Sequence, residues 1–207
     1  METQFYKGNR DAFMEKLEPG SLALFFSGSP VRKTADEDYG YFANRNFVYL
    51  TGMEQKDTVL MMEKDASGYR ETLFILPPNL IEERWTGSRM KPEEIEAVSM
   101  ISSFAYKETF EEELKKVLTS GRIQKVYLDI DRMEGQVVVS AADSMEAFLK
   151  QEYPSMPIEN SLPIMKMLRL IKKPCEIRAM EKAQEITKAG ILAMMTHSKP
   201  GMYEYQY

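Results

Sequence analysis

The stretch TVLMMEKDASGYRETLFILP, Thr58–Pro77, decides how this chain folds. Two runs rich in β-branched and large apolar residues, TVLMMEK and ETLFILP, flank Asp65-Ala66-Ser67-Gly68, a sequence suited to a tight reversal. Such a pairing reads as an antiparallel hairpin. Upstream, SLALFFSGS (Ser21–Ser29) is almost continuously apolar, as expected of a strand covered on both faces. Downstream, KVYLDID (Lys125–Asp131) alternates like a strand. FVYLTG (Phe47–Gly52), rich in aromatic and branched residues, also reads as a strand.

Helical segments separate these strands. Asn9 is placed to cap a helix whose face carries Phe13, Met14 and Leu17, ended by Pro19-Gly20. A short helix precedes the turn at Thr86-Gly87, and Lys91-Pro92 opens another. Thr109 and Glu112 have the spacing of a capping box before the stripe Phe110, Leu114, Val117 and Leu118. Val138, Ala142, Met145 and Leu149 mark a further amphipathic helix. Strands mixed with helices predict an α/β sandwich. The hairpin at its centre makes the sheet mixed, flanked by helices.

The segment YPSMPIENSLP (Tyr153–Pro163) holds three prolines and predicts a boundary, dividing the chain into residues 1–161 and 162–207. After it, LRLIKKPCEIRAMEKAQEITKAGILAMM (Leu168–Met195) reads as a strand or linker entering a long helix. Pro174 and Glu176 suit the first turn of that helix. Ile177, Met180, Ala183, Ile186, Gly190, Ile191 and Met194 form its apolar stripe, and Pro200-Gly201 stops it. The remaining residues are too few for a second core, so this helix is expected either to dock onto the first domain or to need a covering segment that the chain lacks, and the second is favoured.

Composition narrows the function classes. With 43% hydrophobic and 29% charged residues, the chain of 207 has the make-up of a globular protein. A net charge of −5 gives no support to non-specific nucleic-acid binding. No apolar run has the length of a membrane span, and the N-terminus lacks a signal-like apolar core, so a cytoplasmic location is expected. One cysteine, Cys175, permits neither an internal disulfide nor a cysteine metal cluster. A thiol at a helix start can be activated, but no candidate base stands beside it in sequence.

Few residues carry recognisable chemistry. Asp129 and Asp131 share a strand face and resemble a weak divalent-metal pair, although a solvated strand end explains them more simply. His197 suits the negative end of a helix, and no G-x-S-x-G motif supports a catalytic triad around it. SGSP (Ser27–Pro30) and TGSR (Thr86–Arg89) are turns without a phosphate-binding fingerprint. In ERWTGSRM (Glu83–Met90) the only tryptophan, Trp85, lies between Arg84 and Arg89 on a loop expected to be exposed, which suits either an anchor for a partner or substrate or a plug at the sheet edge.

Three segments taken in order resemble the N-terminal domain of Xaa-Pro aminopeptidases, prolidases and creatinases. RNFVYLTGMEQKDTVLMM (Arg45–Met62) is similar to that family's aromatic-x-Tyr-Leu-Thr-Gly segment with its following strand. PPNLIEERWTGSRMKPEE (Pro77–Glu94) resembles its tryptophan turn. Leu168–Met195, with KPGMYEYQ (Lys199–Gln206), is similar to the junction and first helix of the pita-bread catalytic domain.

The resemblance implies a creatinase-type domain over 1–161, and over 162–207 a linker with the first helix of a truncated catalytic domain. It implies a parent metallopeptidase acting on Xaa-Pro peptides with two divalent ions, manganese in most members. The family's ligands, two aspartates, one histidine and two glutamates, fall beyond Tyr207 and match neither Asp129, Asp131 nor His197. No catalytic residue or metal ligand is therefore assigned here, and the fragment alone is expected to be catalytically silent. The resemblance further implies a homo-oligomer in which the tryptophan turn reaches a neighbouring subunit's site, making Trp85 the candidate substrate-side residue. The alternative is a non-enzymatic binding or dimerisation module of the same fold.

Overall fold

The computed structural model describes residues 3–132, 134–135 and 139–207. In chain order the elements are α1 (Thr3–Glu15), β1 (Ser21–Phe26), β2 (Arg32–Thr34), β3 (Glu37–Asp38), α2 (Arg45–Thr51), β4 (Val59–Asp65), β5 (Gly68–Ile75), α3 (Leu80–Thr86), α4 (Pro92–Ser99), β6 (Phe104–Tyr106), α5 (Phe110–Thr119), β7 (Lys125–Leu128), α6 (Ala141–Glu152), β8 (Ile158–Asn160), α7 (Leu162–Leu170) and α8 (Pro174–His197). The main sheet has the order β6-β5-β4-β1-β7-β8. β4 is antiparallel to both neighbours, and every other adjacent pair is parallel. The mixed sheet expected from Thr58–Pro77 is thus present. β4 and β5 pair from Val59 with Phe74 to Asp65 with Gly68. Asp65 sets the reversal, its carboxylate accepting from the Ser67 backbone at 2.8 Å and the Ser67 hydroxyl at 2.6 Å.

Strand alternation divides the core between two faces. On one face Leu22, Leu24, Val59, Met61, Phe74, Val126 and Leu128 pack with Phe110, Leu114, Val117 and Leu118 of α5 and with Ala142 and Leu149 of α6. Phe74 and Phe110 meet edge to face at 5.1 Å. Burying each such side chain contributes about 1.5–3 kcal/mol. On the other face Phe25 meets Phe13 of α1 at 5.1 Å. There α1 packs against α2, α4 and α7.

One charged residue lies within this second layer. Arg10 is fully buried in α1 and pairs with the Glu71 carboxylate on β5 at 2.6 and 3.0 Å. Two further donors reach the carbonyls of Leu50 at 2.8 Å and Ser99 at 2.9 Å. Those carbonyls belong to the last turns of α2 and α4, which need partners there and favour a cation. One guanidinium therefore ties two helix ends to the sheet.

Several local expectations are corrected. FVYLTG is helix α2, because capping outweighs its strand propensity. Asn44 accepts from the backbone N–H groups of Asn46 and Phe47 at 2.8 and 3.0 Å, and Gly52 closes the helix at φ 75°. Asn9 is not a cap. It lies inside α1, buried, and its amide donates to the Tyr49 carbonyl at 2.7 Å. α5 starts where expected, but the Thr109 hydroxyl turns back to the Tyr106 carbonyl at 2.9 Å across a single 3-10 turn at Lys107–Thr109, so it makes no capping box with Glu112. Leu168–Leu170 are helical, the end of α7, whose Met165 is fully buried. Asp129 and Asp131 fall beyond the end of β7. Val138 lies outside the described residues, and the helix expected around it begins at Ala141, capped by the Ser140 hydroxyl.

By packing, the chain divides into two units that meet between Leu170 and Ile171. The first contains both sheets and helices α1 to α7. The second contains α8, which opens with Pro174 and with the Lys173 backbone N–H donating to the Glu176 carboxylate at 2.9 Å. None of the residues of α8 is buried.

Candidate functional site

Trp85 sits on α3, a seven-residue helix with reversed polarity for a surface element. Its apolar side chains point outward, with Trp85 87% exposed and Leu80 and Ile81 nearly as much. Its charged side chains fix it from within. Glu82 accepts from Lys56 at 3.1 Å and from Arg89 at 2.5 Å. These cations hold its carboxyl below the ordinary range, Lys56 first and Arg89 after it. Glu83 accepts from the backbone N–H of Asn79 at 2.8 Å and of Arg89 at 3.3 Å. Asn79 caps the helix, and Gly87 leaves it at φ 90°. Arg89 also donates to the Pro77 carbonyl. Each end of the segment is therefore fixed while its apolar side is open to solvent. An apolar group so displayed fits an interface.

Of the sequence cluster, Arg84 and Trp85 are exposed, whereas Arg89 is spent on Glu82 and Pro77. The other candidate residues do not join them. Asp129 is buried, and both of its oxygens accept from the Asn46 amide, at 2.8 and 3.1 Å. Burial pushes its carboxyl up, against the lowering effect of Asn46, Asn44 and Arg169. Asp131 is exposed. His197 ends α8 with its ring nitrogen Nδ1 2.8 Å from the Ala193 carbonyl of the same helix. Cys175 is half-buried in the first turn of α8.

Sequence reasoning missed the group around Asp129. Arg169 at the end of α7 donates to the Asn46 side-chain carbonyl at 2.6 Å and lies 5.7 Å from the Tyr49 ring centroid. The Tyr49 hydroxyl donates to the Leu168 carbonyl at 3.1 Å. These contacts fix the end of α7, where the first unit closes. The signal available was only an Asn and a Tyr three residues apart in a segment read as a strand.

Among the described residues no group of three or more His, Cys, Asp or Glu side chains is arranged to hold a metal ion. A two-metal centre does not fit these residues. No described helix is long and apolar enough to cross a membrane.

A mixed six-stranded sheet between two helical layers, with a displayed tryptophan turn, defines a class of α/β domain. The chain belongs to the aminopeptidase P N-terminal domain family, whose profile matches residues 6–127. The Xaa-Pro aminopeptidase of Escherichia coli (strain K12) is 29% identical over 212 residues, covering 98% of this chain and 46% of that protein. The Xaa-Pro aminopeptidase of Haemophilus influenzae is 25% identical, covering 97% of this chain and 44% of the relative. Among solved structures, one from Bacillus anthracis assigned to aminopeptidase P superposes with a TM-score of 0.94 at 29% identity, over 100% of this chain and 49% of that one. E. coli aminopeptidase P with the inhibitor Pro-Leu superposes at 0.83 with 25% identity, over 100% and 47%. A zinc-substituted E. coli aminopeptidase P in complex with product also superposes at 0.83, with 27% identity. The chain spans about half the length of the relatives it matches.

Proposed function

We propose that this chain is the N-terminal part of an Xaa-Pro aminopeptidase or prolidase-like peptidase. Residues 1–161 are its accessory domain, and 162–207 are the linker and first helix of its catalytic domain. The observation carrying this reading is near-complete coverage of the chain by Xaa-Pro aminopeptidases of roughly twice its length. In the parent, the accessory domain shapes the mouth of the active site and supports a cytoplasmic homo-oligomer. Two divalent ions, manganese in this reading, belong to the remainder of the parent, and no step of the chemistry runs through the residues described above. The exposed apolar face of α8 is covered by that remainder.

Within this assembly Trp85 is the substrate-side residue, reaching a neighbouring subunit's site. Its near-complete exposure on a turn fixed at both ends supports the assignment. Trp85→Ala in the full-length parent tests it. The reading expects kcat/KM on an Xaa-Pro peptide to fall by about tenfold, the loss of roughly 1.4 kcal/mol of transition-state binding, with the melting temperature unchanged. Unchanged kinetics and an unchanged mass by light scattering would contradict it. A change in mass with intact kinetics per active site would assign the surface to assembly instead.

A further inference from the structure

A second feature lies at the C-terminal end of β1. There a cavity of about 530 Å³ opens between the N-terminal turns of α5 and α6. Its size is that of a small-ligand pocket. Phe26, Val59, Leu114, Met145 and Phe148 make its apolar wall, and its charged groups are Lys107, Asp57 and Glu111. We propose that this cavity binds a small zwitterion with an apolar body, an apolar amino acid or dipeptide, its carboxylate on the Lys107 ammonium and its ammonium on Asp57 and Glu111.

The charges favour this class over a simple anion or cation. Lys107 is half-buried in the cavity wall, and no hydrogen bond or ion pair engages its ammonium among the described residues. The ammonium rests on the face of Phe110, 4.5 Å from the ring centroid. A partly desolvated ammonium resting on an aromatic ring retains donors for an anion. Burial pushes its pKa down, and Asp57 and Glu111 oppose that shift. A lone anion would meet those two carboxylates, and a lone cation would meet Lys107. A zwitterion satisfies both signs while its side chain fills the apolar wall.

The backbone fixes this arrangement. Asp57 has φ 55°, an uncommon value for a residue with a side chain. Its N–H donates to the Gly28 carbonyl at 2.9 Å, and Gly28 has φ 90°. The Ser29 hydroxyl donates to one Asp57 oxygen at 2.5 Å, so the carboxylate is oriented. Strain of this kind persists where surrounding contacts impose it, and it clusters at binding sites. Residues of the first turns of α5 and α6 complete the lining.

Calorimetric titration of the intact chain with L-phenylalanine and with L-leucyl-L-leucine tests the proposal. At least one should bind, and the tighter of the two identifies the natural size. N-acetylation or C-terminal amidation of that ligand should each raise Kd by about tenfold or more, as expected for losing one partner of a charge pair. Lys107→Met should reproduce the effect of amidation. Met145→Trp, which fills the cavity at a partly exposed position, should abolish binding while the melting transition persists. The proposal is overturned if neither ligand binds at about 10 mM, near the limit for a specific site. It is also overturned if the capped ligands bind equally well, or if a folded Met145→Trp protein binds unchanged.

Discussion

The side-chain amide of Asn46 donates to both carboxylate oxygens of Asp129, at 2.8 and 3.1 Å, while the Asn46 carbonyl accepts from Arg169 at 2.6 Å. The amide relays charge between a buried carboxylate and the helix that closes the first unit. It also joins three elements far apart in sequence: α2, the end of β7 and α7.

A pH dependence follows from Asp129. Burial raises its folded pKa above the reference value of 3.8, so the folded state holds the proton more tightly than the unfolded chain. Stability from this group is greatest below that reference value and declines as pH rises through the folded pKa. Asp129→Asn removes the titration. Urea unfolding between acidic and neutral pH should show wild type losing ground to the variant as pH rises. A stability difference that grows in favour of wild type with pH would refute this assignment.

Arg10 is the most consequential buried charge. Arg10→Met leaves Glu71 partly buried without its cation and removes the partners of the Leu50 and Ser99 carbonyls. The expected loss is about 3–5 kcal/mol, read as a lower denaturant midpoint. A loss below about 1 kcal/mol, the scale of an exposed pair, would show that these helix ends are held by other means.

Gly52 ends α2 at φ 75°, and a Cβ there would lie 2.6 Å from the Tyr6 ring and 2.9 Å from Val98. Gly52→Ala therefore combines backbone strain with a steric clash, at a cost of about 1–3 kcal/mol. Gly121, at a similar φ of 73°, has open space around its Cβ position. Gly121→Ala should cost less in the same thermal melt, and equal losses would show that the Tyr6 contact is immaterial.

The sequence was most informative where periodicity and turn chemistry agreed. Thr58–Pro77 placed the hairpin and the mixed sheet because Asp65 and Gly68 suit the reversal between two apolar runs. The apolar run from Ser21 marked a central strand, with antiparallel β4 on one side and parallel β7 on the other. Phe47–Thr51 misled because strand propensity is weak beside two well-made caps. β6 and β8 escaped because three-residue edge strands leave little pattern, and β8 begins just after Pro157 in a proline-rich stretch. At the tryptophan turn, residue types drew attention to Trp85, but its outward display depends on Lys56 and Arg89 converging on Glu82. The Asn46–Asp129–Arg169 group joins residues up to 123 positions apart, which no local pattern can show.

The central claim is that this domain belongs to a peptidase acting before proline. The most direct measurement is to express the complete product of the gene encoding this chain and assay matched Xaa-Pro and Xaa-Ala peptides, with manganese and after chelation. The account predicts release of the N-terminal residue from the Xaa-Pro peptide alone, lost on chelation and restored by manganese. A complete product that folds, takes up manganese and still leaves the Xaa-Pro peptide intact would contradict it.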